Sequence, residues 1–346
     1  MADQVADRVA AFRTAWSAAG LGSPGEIQTF DAGDRALRDK VDLQLSRDGG
    51  AVTLGLRARG GGAVVDQPDC PLLSAPLQGW VHDLRADLPP LDRASLRLRV
   101  GPDGRRGVWL DAANLDIKSL LEDGAWLRRQ TAAVELGQRH KRMVWVEGRA
   151  RLGEPVLEPW FQTWVRGQPA PLYTTVGGFT QVGWAANRVL VEQVLADAAA
   201  LGASDWVEVG AGAGNLTLPL AGTGARVRAV DIDGLGLAGL ARSAAEQSLD
   251  GQIEIVRASY QASTTPWLDG AEGVLVDPPR SGLGTGVDAL LRHRPRVLLY
   301  VSCNAETLIA DVARLAAAYD VAQVTSFGLF PHTPLGEWVV GMVRRG

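Results

Sequence analysis

The chain has 346 residues and a formal charge of −4, with 46% hydrophobic and 21% charged residues, which excludes a disordered chain, a collagen-like repeat and an acidic tail protein and makes two domains the expectation. No apolar run approaches the ~18 residues of a membrane span, and the start, MADQVADRVAAF, lacks a signal-peptide core, so a cytoplasmic protein without a membrane partner is expected. Cys70 and Cys303 are the two cysteines, too few for a disulfide framework or for a metal or iron–sulfur site built on thiolates alone.

Val5, Val9, Phe12 and Trp16 recur at helical spacing, and Gly20 ends the predicted helix. Val41, Leu43 and Leu45 alternate with polar residues, Asp48-Gly49-Gly50 turns the chain, and Val52, Leu54 and Leu56 alternate again, predicting a hairpin. A second hairpin is predicted from Leu96, Leu98 and Val100 through Gly101-Pro102-Asp103-Gly104 to Val108 and Leu110. Asn114 is the expected cap of a helix carrying Ile117, Leu120, Leu121 and Leu127, and a third strand pair is expected at 143–158. Residues 1–165 thus read as an α+β domain and 166–178, RGQPAPLYTTVGG, as a linker.

From residue 179 onward the pattern is that of a second domain, 179–346. Asn187 to Leu201 is helical, and Trp206–Val209, Val227–Val230, Ile253–Val256, Val274–Val276 and Val297–Val301 are apolar runs of strand length with helical segments between most of them. That alternation predicts an α/β fold with an open parallel sheet covered on both faces. Val321–Phe327 and Trp338–Val343 have no helix between them and are expected to pair antiparallel at one edge.

Glu208-Val209-Gly210-Ala211-Gly212-Ala213-Gly214 follows the first of these strands and opens a helix. A dinucleotide fingerprint, G-x-G-x-x-G, fails in both registers, because Asn215 or Thr217 stands at the sixth position. The E-x-G-x-G-x-G present resembles the first motif of class I S-adenosylmethionine-dependent methyltransferases. Glu208, Gly210 and Gly212 are then cofactor residues. Asp231, at the end of the next strand, is the expected acceptor for both ribose hydroxyls, ahead of Asp233.

The strand ends that follow carry Asp277-Pro278-Pro279-Arg280-Ser281-Gly282, then Ser302-Cys303-Asn304-Ala305-Glu306-Thr307-Leu308, then Phe330-Pro331-His332-Thr333-Pro334-Leu335-Gly336-Glu337. Upstream stands Phe179-Thr180-Gln181. This set resembles the RNA (uracil-C5)-methyltransferase family over about residues 175–346, in its F-x-Q, D-P-P-R-x-G, S-C-N-P-x-T-L and F-P-H-T-x-H-x-E motifs. The resemblance implies a Rossmann-like seven-stranded sheet ending in an antiparallel pair; the family's small N-terminal RNA-binding β-barrel has no room here, so the α+β domain is the expected RNA reader. It implies Cys303 as nucleophile and Glu337 as general base. Gln181 and Asp277 would line the pocket between cofactor and uracil, with Arg280 and Asn304 contacting the substrate. The departures from the family pattern, Glu208-Val209, Ala305, Leu335 and Gly183, fall on supporting positions.

The chemistry needs these residue types. C5 of uracil is too weak a nucleophile to take a methyl group directly. A thiolate added at C6 makes C5 enolate-like, and a base then removes the C5 proton so that the thiolate leaves. Cys70 is expected to be structural, because the three partners of a cluster-ligating cysteine are absent.

The remaining expectation concerns RNA. Arg57 and Arg59, Arg97 and Arg99, and Arg149 and Arg151 each lie two residues apart and so project from one strand face. If the faces coincide they form a phosphate-holding surface, which Arg105, Arg106, Arg128, Arg129 and Arg139 to Arg142 extend. RNA, ribosomal ahead of transfer, is the expected partner, with no obligate protein partner. Alternatives from the same motifs are methylation of an exocyclic amine, which needs no cysteine, and a non-catalytic RNA-binding factor.

Overall fold

Val5, Val9, Phe12 and Trp16 lie along helix α1 (Ala2–Ala18), and Gly20, with φ 75°, follows its end. The computed structural model describes residues 2–58, 61–137, 140–333 and 335–346, so Arg59, Arg139 and Pro334 lie outside the described residues. The chain divides into two compact units: Met1–Asp34, Thr163–Leu172 and Ala185–Gly346 make one, and Arg35–Gln162 with Tyr173–Trp184 make the other. Helix α1 and strand β1 (Ile27–Asp31) therefore belong with the C-terminal sheet, not with a 1–165 domain. The reason is long-range pairing, which local periodicity does not carry: Ile27 to Asp31 pairs in parallel with Val324 to Gly328.

The second unit contains β2 (Lys40–Asp48), β3 (Ala51–Arg57), β4 (Val64–Asp66), α2 (Ala75–Ala86), β5 (Arg93–Val100), β6 (Arg106–Ala112), α3 (Asn114–Asp123), α4 (Ala125–Arg129), β7 (Ala133–Leu136), β8 (Lys141–Val146) and β9 (Arg149–Gly153). The strands form one sheet in the order β4-β3-β2-β5-β6-β7-β8-β9. Leu43, Leu45, Leu96, Leu98, Val108 and Leu110 alternate onto one face and pack with Trp80, Leu84 and Trp126 of the helices. The single helix expected after Asn114 is two. The break is Gly124 at φ 58°, where a Cβ would lie 2.7 Å from the Trp145 ring, and Asn114 is the first helical residue, not the cap.

The expected linker is a hairpin instead. Strands β10 (Glu158–Val165) and β11 (Gln168–Thr174) pair with each other across Arg166-Gly167, whose φ values of 52° and 75° suit a two-residue turn. Pro169 and Pro171 read as breakers in the sequence, but a two-stranded ribbon has outward positions that need no N–H.

The first unit continues with α5 (Trp184–Leu201), β12 (Asp205–Val209), α6 (Thr217–Gly222), β13 (Arg226–Asp231), α7 (Gly234–Glu246), β14 (Ile253–Arg257), β15 (Gly273–Val276), α8 (Gly286–His293), β16 (Val297–Ser302), α9 (Ala305–Leu315), β17 (Tyr319–Gly328) and β18 (Glu337–Arg344). The sheet order is β1-β17-β18-β16-β15-β12-β13-β14. The seven expected strands are present, and β1 adds an eighth at the edge where the β17–β18 pair was expected to end the sheet. β15 and β16 are buried throughout, as central parallel strands covered on both faces must be. Only β18 runs antiparallel, so its first residue, Glu337, lies at the sheet edge where the parallel strands finish.

Candidate active site

The turn after β12 depends on glycine. Gly210, Gly212 and Gly214 have φ of 86°, 52° and 91°. A Cβ on Gly210 would lie 2.6 Å from the Asp277 carbonyl oxygen, because β12 and β15 pair and the Asp277 N–H donates to Val209 O at 3.1 Å. Gly210→Ala is thus expected to lose about 2 kcal/mol or more of stability and most cofactor affinity, measured by thermal unfolding and calorimetric titration.

Asp231 organises the same turn: its carboxylate accepts the Gly212 N–H at 2.7 Å and the Asp233 N–H at 2.8 Å. Asp233 caps α7 by accepting the Leu235 N–H at 3.0 Å, which leaves Asp231 as the acidic residue of the turn. Directly after it, Ile232 is 67% exposed, an apolar surface that sequence reasoning passed over. Glu208 does not face an opening. It is 2% exposed, takes the Thr217 hydroxyl bond, and burial pushes its carboxyl up to about 8. It therefore supports the turn from within, where the sequence placed it as a ligand contact. Asn215 and Asn187 exchange amide bonds at 2.7 and 2.9 Å, and the Thr163 hydroxyl donates to Asn215 O at 2.7 Å. No sequence signal marked that pair.

The loop after β15 is clamped to α9. The Asn304 amide donates to Arg280 O at 2.9 Å, and the Thr307 hydroxyl donates there at 3.1 Å. The Asp311 carboxylate accepts the Leu283 N–H and the Tyr300 hydroxyl, both at 2.7 Å. Asn304 also caps α9 by accepting the Glu306 N–H at 3.1 Å. Both ends of its amide hold neighbouring backbone, which gives Asn304 a positioning role in the loop.

Cys303, Glu337, Asp277 and Arg280 converge at this edge. The β16–β18 pairing ends at Ser302 and Trp338, so Cys303, just after β16, and Glu337, the first residue of β18, both adjoin that last pair, and the Glu337 charge acts on the thiol. Arg280 is exposed, and its positive charge acts on the Cys303 thiol. Burial, with Glu337 next, pushes that thiol up, and Arg280 opposes the shift. Burial and then Asp277 hold the Glu337 carboxyl well above the usual range, again against Arg280, and desolvation pushes Asp277 up to about 7. A half-buried thiol, a 2% exposed carboxyl and one guanidinium form a compact set suited to nucleophilic addition and proton removal. Among the described residues no group of three or more His, Cys, Asp or Glu could hold a metal, and no helix is long and apolar enough to cross a membrane.

Gln181 lies in the second unit, 8% exposed. The segment around it rests on charged side chains. Lys40 donates to Thr180 O at 2.5 Å and Arg97 to Gly177 O at 2.8 Å. Arg99 donates to Thr175 O at 3.1 Å, Gly178 O at 2.7 Å and the Thr180 hydroxyl at 3.1 Å. Glu135 accepts the Gly177 N–H at 3.0 Å. This corrects the expected arginine face. Register does put Asp42, Arg97, Trp109, Glu135 and Arg142 in one row, but carboxylates alternate with the cations. Arg97 is paired with Asp42 at 2.6 Å, and Arg99 is only 1% exposed. Arg57, Arg149 and Arg151 remain exposed. Arg99→Met is expected to destabilise the second unit by about 3 kcal/mol or more in denaturant unfolding, because three carbonyl or hydroxyl acceptors lose a buried cation.

The tRNA (uracil-5-)-methyltransferase family model matches residues 269–344. An uncharacterized RNA methyltransferase of Bdellovibrio bacteriovorus is 36% identical over 342 residues, covering 95% of this chain and 87% of its own. The 23S rRNA (uracil(1939)-C(5))-methyltransferase RlmD of Dichelobacter nodosus is 30% identical over 315 residues, covering 89% and 71%. The structure of the Pyrococcus abyssi tRNA (uracil-54, C5)-methyltransferase in complex with S-adenosyl-L-homocysteine shares the fold, with a TM-score of 0.70 at 21% identity over 98% of this chain and 83% of that one. These similarities extend over both compact units and not over the reacting edge alone, so the chain as a whole belongs to the RNA (uracil-C5)-methyltransferase family.

Proposed function

We propose that this enzyme methylates C5 of a uridine in structured RNA through a covalent adduct between Cys303 and C6 of the base. The observation that carries the reading is the convergence of Cys303 and Glu337 beside the last β16–β18 pair, with the Arg280 charge acting on the thiol. S-adenosylmethionine supplies an electrophilic methyl group when bound. The Gly210–Gly214 turn fits it by admitting backbone close to a ligand, Ile232 offers an apolar face, and Asp231 offers a carboxylate for the ribose hydroxyls.

The chain's own residues do the rest. Cys303 loses its proton and adds to C6, which leaves C5 electron-rich. After C5 is methylated, Glu337 takes the C5 proton. The electron pair re-forms the C5–C6 double bond and the C6–S bond breaks. A carboxyl with a raised pKa is a stronger base once ionised than an ordinary carboxylate. Arg280 favours the thiolate, and its removal should raise the thiol pKa further. Iodoacetamide alkylation of Cys303 is therefore expected to rise with pH above the ordinary thiol range, and Arg280→Met to move that rise to higher pH. An unchanged profile would contradict the role given to Arg280.

The Dichelobacter relative acts by its name on 23S rRNA and aligns over most of this chain, which supports ribosomal over transfer RNA as substrate. Arg57, Arg149 and Arg151 are exposed guanidiniums in the second unit suited to phosphates. The target base must leave its stack to reach a half-buried thiol. Incubation of separate ribosomal and transfer RNA fractions with labelled methyl donor, followed by nucleoside analysis, should give 5-methyluridine from ribosomal RNA. A methylated exocyclic amine as the product would refute the reading.

A further inference from the structure

Helix α1 meets the segment that carries Glu337, one residue per turn. The Gln4 side-chain oxygen accepts the His332 N–H at 3.3 Å. Four residues on, Arg8 is 8% exposed, and a Cβ on Gly336 would lie 2.4 Å from its Cδ, so the backbone passes directly against the arginine stem. Four further on, Phe12 stacks on Trp338, with centroids 3.9 Å apart and planes at 15°. Residues at i, i+4 and i+8 share one helix face. They touch residues 332, 336 and 338 in order, and Glu337 lies between the second and third contacts.

Two further observations bear on this contact. His332 has φ 61°, a conformation a non-glycine residue adopts only when its surroundings impose it. Arg8 Nε and Nη1 are buried without a hydrogen-bond partner among the described residues, and the acidic charge acting on the guanidinium is Asp31, at the end of β1. A buried cation so poorly satisfied is a burden on stability. What it supplies is its stem, set against Gly336.

We propose that Gln4, Arg8 and Phe12 form a strap that positions Glu337 for proton removal, with Arg8 as its positioning residue. The inference rests on the reading of Glu337 as the base. A displaced base leaves thiol addition and methyl transfer intact but slows loss of the C5 proton, so the C6–S bond persists on ordinary uridine RNA.

The test follows that bond on denaturing gels with uridine RNA and 5-fluorouridine RNA, for wild type, Glu337→Gln, Arg8→Ala, Arg8→Lys and Gly336→Ala. Arg8→Ala and Gly336→Ala are expected to lower kcat on the order of 10- to 100-fold. Both should show a covalent band on uridine RNA, while KM for RNA and the fluorouridine adduct rate stay near wild type. Arg8→Lys, which keeps the aliphatic stem, should restore much of kcat. Wild-type kcat without a band in Arg8→Ala, while Glu337→Gln shows the band, overturns the strap and leaves the base assignment standing. Absence of the band in Glu337→Gln overturns the base assignment itself. Should Arg8→Ala lose its fold, the same band in Gly336→Ala, which keeps Arg8, decides the matter.

Discussion

Cys303→Ala is expected to abolish uridine methylation, with kcat lowered by about 10⁴-fold or more, while cofactor affinity and thermal stability change little. The magnitude follows from the chemistry: without a thiolate at C6, C5 stays a weak nucleophile and no neighbouring group replaces the covalent route. Cys303 lies at the end of β16, beyond the fully buried strand, and is itself only half-buried, so removing one sulfur opens no core cavity. Methyl transfer measured with labelled donor separates the possible chemistries. Amine methylation needs no thiol and would survive the substitution.

Glu337→Gln is expected to lower kcat by about 10²- to 10⁴-fold and to accumulate methylated RNA bound covalently to the enzyme. The substitution is nearly isosteric at a position 2% exposed, so RNA should still enter and react with Cys303. The same change has a pH signature. The Glu337 carboxyl titrates well above its usual range in the fold, chiefly because it is buried and then because of the Asp277 charge. The folded state therefore loses stability as pH rises from the ordinary carboxyl range through that raised value. Glutamine removes the loss. The variant should match the wild-type Tm near pH 4 and exceed it near pH 8. A variant less stable than wild type at pH 8 would mean that Glu337 is held as a paired carboxylate.

The reacting edge was legible in the sequence because its motifs sit on strand ends, and a parallel sheet brings strand ends together. The D-P-P-R loop, Cys303 and Glu337 needed only the strand pattern to be placed near one another. Roles depending on how a side chain is covered were not legible. Arg97 and Arg99 alternate like an exposed face, yet residues 175–180 lie over them and use their donors. Asn304 reads as a substrate contact, and nothing local records that its amide also bonds Arg280 O and the Glu306 N–H. Glu208 stands in the glycine motif but is turned into the core. Helix α1 looked like the start of an N-terminal domain, because nothing local records that Phe12 stacks on Trp338, 326 positions later in the chain. Strand β1 was missed for the same reason: Ile27 to Asp31 has little apolar character, and its partner is β17.

The most direct test of covalent uracil-C5 chemistry uses RNA carrying 5-fluorouridine, S-adenosylmethionine and the enzyme, resolved on a denaturing gel. Fluorine at C5 cannot leave as a proton does, so the methylated adduct cannot resolve. The account predicts a shifted protein–RNA band that requires the methyl donor and is absent in Cys303→Ala. Methyl transfer to uridine RNA without such a band, or a band that persists in Cys303→Ala, would contradict it.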